Sequence, residues 1–243
     1  MLSHSYIRPV EEALRSGTLK MGADPGVAAV QTSWSDSPLN AALLVLFALL
    51  LIVNLRNFLN ILPSLVDCIF RWKANLNLED NIHLGLSRNY SALIAFIPFC
   101  LLSDRLGLFK LKLFNFLPEG FSVIGVIAVV LAYAILRRLI YAFLSIRARR
   151  PDTFRAVHFS SFNYFIIATL LLIVVALILL LFRFPDHAAK VVGICTVGVV
   201  YLLSFVRKKQ IFSSFCAPIQ TILYLCALEV LPTGLLIAAV ILL

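Results

Sequence analysis

Apolar residues run along this chain in six long blocks separated by short polar segments, not in the one-sided patterns of soluble helices or strands. The blocks cover residues 39–55, 85–103, 120–136, 162–182 and 188–206, with a last one inside 217–243. Each is close to the about 17–25 residues that a helix needs to cross a bilayer. The pattern predicts an all-α fold: a polytopic transmembrane helix bundle of about six spans over residues 39–243, preceded by a polar N-terminal tail over 1–38. The second block is the weakest. Only residues 92–102 are strictly apolar, Pro98 interrupts them, and Arg88 near the start would have to snorkel towards the headgroups. Its alternative is a re-entrant segment in a five-span protein.

Two connections carry their own pattern. In residues 56–72, Phe58, Leu62, Leu65, Ile69 and Trp72 recur at helical spacing, with Asn57, Asn60, Ser64, Asp67 and Arg71 between them. That predicts an amphipathic helix after the first span, lying in the membrane interface or packed on the bundle. Residues 106–117 mix Phe, Leu and Lys and are expected at the outer headgroup level. The third helix is expected to continue to Arg150. Pro151 would stop it, and Asp152 would cap the helix that follows.

Composition settles the solvent. The chain has 243 residues, 61% of them hydrophobic and only 14% charged, whereas a soluble domain carries about 25% charged residues. The formal charge of +9 is spread as short basic clusters between apolar blocks, which argues for topology and against nucleic acid. With six spans, one side holds Arg56, Arg71, Lys73, Arg88, Arg137, Arg138, Arg147, Arg149, Arg150, Arg155, Arg207, Lys208 and Lys209. The other holds Arg8, Arg15, Lys20, Arg105, Lys110, Lys112, Arg183 and Lys190. The richer side is expected in the cytoplasm, which puts both termini outside a bacterial inner membrane. No cleavable signal peptide is expected, because residues 1–37 lack an early apolar core. The five cysteines form no C-x-x-C pair and imply neither a disulfide framework nor a metal site.

Candidate chemistry is sparse. Glu229 is the one acidic residue deep in an apolar block. A helix starting at Pro218 places it about 16 Å along, where a carboxylate must face the bundle interior and find a partner. Its role is either structural, locking helices together, or that of a ligand or ion site. Cys226 and Thr233 would share its face, and Asn163, Tyr164, Tyr133 and Thr196 are candidate partners on other spans. Pro232 and Gly234 would kink or break the helix just beyond it. Arg147, Arg149, Arg150 and Arg155 would contact phosphate or anionic lipid, or simply mark the cytoplasmic side. Ala189 and Gly193 allow a close helix approach. Glu79, Asp80 and His83 read as a solvated loop rather than a metal site. There is no G-x-G-x-x-G, P-loop, H-E-x-x-H or G-x-S-x-G, so no catalytic residue and no cofactor are predicted.

The run Tyr224-Leu225-Cys226-Ala227-Leu228-Glu229-Val230-Leu231-Pro232 resembles the terminal signature of an uncharacterised Bacteroidota inner-membrane family, domain of unknown function 4271. Glu229 and Pro232 fall on that family's Leu-Glu-x-x-Pro core. The resemblance implies a multi-spanning protein with an amphipathic stretch after the first span. It differs at the tail, where a basic residue after the last apolar run is expected and this chain ends at Leu243. No activity comes with it.

Three functions follow in order. The first is a non-enzymatic component or scaffold of a cell-envelope assembly, with the bilayer, other inner-membrane proteins or itself as partners. The second is a small transporter with Glu229 as its proton, cation or ligand site. The third is a lipid-phosphate binder or enzyme using the basic elbow.

Overall fold

The computed structural model describes residues 37–71, 73–75, 82–109, 121–146, 151–215 and 217–242. Among these there is no strand. The helices are α1 Pro38–Phe70, α2 Ile82–Arg105, α3 Ser122–Ile146, α4 Pro151–Leu181 and α5 Asp186–Phe215. The last, α6, consists of Pro218–Leu225, a π-helical turn at Cys226–Val230 and Leu231–Leu242. All six are long and apolar enough to cross a membrane. The chain is a multi-pass membrane protein. Residues 1–36 and the elbow residues Arg147, Arg149 and Arg150 lie outside the described residues, as do Glu79, Asp80 and the segment 110–120.

Several helices outrun the apolar blocks that announced them. α1 passes through Arg56, α3 through Arg137 and Arg138, and α5 through Arg207, Lys208 and Lys209. Lys and Arg are good helix formers, so a basic pair that ends an apolar block does not end the helix. The amphipathic stretch is therefore a continuation of α1, through Pro63 and without a break. Phe58, Leu65 and Ile69 of its apolar stripe pack on the bundle, whereas Leu62 is exposed and Trp72 lies outside the described residues. Ile61 and Leu65 are buried with Ala92 and Ala95 of α2 and Tyr164 and Ile167 of α4, and Phe58 and Ile69 flank them.

The second span is complete, and its low hydropathy has a physical reason. α2 packs against α1, α3 and α4, and half of its most apolar window is buried by protein, against 6% for α1. An interior helix does not have to satisfy lipid on every face. Arg88 accordingly does not snorkel. It is 2% exposed, with its guanidinium 4.4 Å from the centre of the Phe159 ring.

Helix ends show how the connections are held. Past α2, Gly107 has φ 62°, and Gly107 N–H donates to Asp104 O while Leu108 N–H donates to Ser103 O, both at 2.9 Å. That is a Schellman end, with glycine at the left-handed position. It lays Leu106 and Leu108 on α5 at Gly193, where a Cβ would stand 2.9 Å from Leu106 Cδ1. α4 closes the same way through Phe184 N–H to Leu179 O, but the left-handed residue is Arg183, φ 49°. Pro151 opens α4, which places Asp152 within its first turn; the course of the third helix from 147 to 150 lies outside the described residues. The carbonyls of Ile69 and Phe70 at the end of α1 accept from Arg207 Nη2 at 2.7 and 3.1 Å.

Candidate functional site

The polar centre of the bundle is built around α6. Pro218 supplies a first-turn proline, which needs no N–H partner. Pro232 removes one backbone donor a turn beyond Glu229. Between them, Leu231 N–H reaches back to Cys226 O across the π turn. The helix is neither broken nor simply kinked there: it widens by one residue. A wider turn advances less per residue, so Cys226 and Glu229 do not share a face. Cys226 is exposed, whereas Glu229 is 2% exposed.

Glu229 Oε1 takes two cations from two other helices. Lys208 Nζ of α5 lies 2.9 Å away, and Arg137 Nη2 of α3 pairs with the same oxygen. Arg137 Nη2 also donates to Ser161 Oγ of α4. Tyr201 OH of α5 donates to the backbone carbonyl of Glu229 at 3.2 Å, and Tyr133 OH of α3 lies 3.4 Å from Thr233 Oγ1. One carboxylate thus ties α6 to α3 and α5, and Arg137 extends the link to α4. Packing closes over Lys208, which is 1% exposed, while the Arg137 side chain stays 18% exposed. Below it, Phe154, Val157, Ile211, Phe212, Leu225 and Leu228 form an apolar cluster.

The expected partners of Glu229 lie elsewhere. Asn163 donates to Asn75 Oδ1 at 2.9 Å, and Tyr164 OH donates to Cys68 O at 3.1 Å, so both belong to a second polar cluster against the end of α1. Thr196 bonds back to Val192 O of its own helix. Tyr133 reaches Thr233 but not the carboxylate. Arg155 lies on the surface of α4 with its guanidinium 5.8 Å from the Phe159 ring. Among the described residues no group of His, Cys, Asp and Glu is arranged to hold a metal.

Arg137 and Lys208 stand where charge reads as the end of a span, and Ser161 and Tyr201 are uncharged positions that nothing in the pattern singles out. A usable signal was present. Lys208 lies seven residues before the end of α5 and Glu229 eleven after the start of α6, on either side of a short connection. Two antiparallel helices joined so closely bring such positions near one level.

Residues 39–240 match the family model described as Domain of unknown function (DUF4271). The chain belongs to that family. The match spans all six helices of the bundle, so the DUF4271 domain is the whole helical region and includes Glu229, Arg137 and Lys208. No curated protein matches the chain, and no solved structure does.

Proposed function

We propose that this DUF4271 protein is a non-enzymatic scaffold component of a cell-envelope assembly in a bacterial inner membrane, with both termini outside. The observation that carries the reading is the state of Glu229. The one buried carboxylate among the described side chains is committed to cations of α3 and α5, a use that holds helices together. Its surface supports the same reading. α1 presents Leu44, Val45, Leu49, Ile52, Val53 and Phe70, all more than half exposed, to whatever surrounds the bundle.

Pull-down from native membranes in a mild detergent, with mass spectrometry of what is recovered, tests it. The expected result is stoichiometric recovery of other membrane proteins. Recovery of the chain alone, together with a solute flux in vesicles that Glu229→Gln abolishes, overturns it. That outcome would establish the second reading, a small carrier, which the π turn at Glu229 favours because such turns recur at functional sites.

A further inference from the structure

The ionic cluster is short of negative charge and of hydrogen-bond acceptors. Lys208 Nζ carries three N–H donors and spends one, on Glu229 Oε1. Arg137 spends only Nη2, on Ser161 and Glu229, leaving Nε and Nη1. Against these spare donors the cluster offers one spare acceptor, Glu229 Oε2. Two cations face one carboxylate, so the charge is +1.

Among the described side chains no neighbour makes up the difference. His158 of α4 lies in the field of Arg137, Arg138, Lys208 and Arg88, and the Tyr201 hydroxyl in that of Glu229, Tyr133 and Arg137. None of the other carboxylates with described side chains pairs with Lys208 or Arg137. Asp67 is exposed near the end of α1, Asp104 stands in the last turn of α2, and Asp186 opens α5, 22 residues before Lys208. Burying a charge is costly unless it is paired and hydrogen-bonded.

We propose that Lys208 and Arg137 form the binding site of a small monovalent anion, which takes the donors that Glu229 leaves unused. Arg137 is the way in, being the partly exposed member of the three ionic groups. The site selects by size, since Lys208 and Glu229 are closed in by side chains and admit a halide or formate rather than a bulky ion. The carboxylate of Glu229 repels an anion held on the remaining donors, so its charge weakens binding.

The test is thermal unfolding of the full chain in an uncharged detergent, at constant ionic strength. Chloride, bromide and formate are titrated against methanesulfonate as the bulky reference. A saturable rise in Tm with the small anions is expected for the wild type, lost in Lys208→Met and kept in Lys208→Arg. Glu229→Gln should bind the same anions about ten-fold tighter, which a purely structural carboxylate would not predict. Equal responses to all four anions overturn the proposal. So does a response that Lys208→Met leaves unchanged, because it would place binding elsewhere. Should Lys208→Met not fold, weaker or unchanged binding in Glu229→Gln is sufficient to reject it.

Discussion

At the scale of single residues, the three buried charges are not equivalent. Removing Lys208 leaves Arg137 and Glu229 as a neutral pair, whereas removing Glu229 leaves two cations facing each other in an apolar interior. Breaking a buried pair in that way costs roughly 3–5 kcal/mol. Glu229→Leu is therefore expected to lower membrane abundance and unfold at lower temperature than Lys208→Met, whose cost should be nearer 1–2 kcal/mol. Unfolding of both variants in the same detergent checks the order, and equal losses would mean that the carboxylate has no special place. Tyr201→Phe removes one hydrogen bond to the Glu229 carbonyl. Such bonds within membrane bundles average about 0.6 kcal/mol, so that variant should remain fully folded.

At the scale of elements, the two Schellman ends make a controlled comparison. α2 uses Gly107 at the left-handed position and α4 uses Arg183. A side chain there carries a steric cost that glycine avoids. Arg183→Gly is expected to raise stability by roughly 0.5–1 kcal/mol, seen as a higher Tm. A lower one would show that the Arg183 side chain supplies more than its backbone costs. Gly193 works in the opposite sense. An added Cβ meets the flexible tip of Leu106, so Gly193→Ala should cost no more than about 1 kcal/mol. Gly193→Leu has no room beneath Leu106 and Leu108, and should cost about 1–3 kcal/mol. The π turn belongs to this scale as well. A widened turn cannot be read from apolar spacing, because Glu229 and Cys226 fit one face of a regular helix and separate only when one turn takes an extra residue.

At the scale of the whole molecule, the proposed orientation sets both ends of the helical region on the outer face. A periplasm-active reporter fused after residue 243 is expected to be active, and the same reporter fused within residues 147–150 inactive. The reverse pattern would invert the topology. The six crossings were legible because lipid imposes a length and an apolarity that each block must meet by itself. The second span is the faintest of the six for the converse reason, since a helix enclosed by protein is released from that demand.

Written in the sequence were the solvent, the helical class, the number of crossings and the one acid that could not face lipid, Glu229. These follow from local composition and from the cost of unpaired polar groups in hydrocarbon. What Glu229 meets was decided only by tertiary structure. Arg137 lies 92 residues and Lys208 21 residues away in sequence, and each stands at the edge of an apolar block, where charge alone reads as the end of a span. Continuous helices carry those side chains inward, and the packing of α3, α5 and α6 brings them onto one oxygen. The burial of Arg88 beneath Phe159 and the course of α1 along the bundle were settled likewise, by which helices surround each position rather than by the residues next to it.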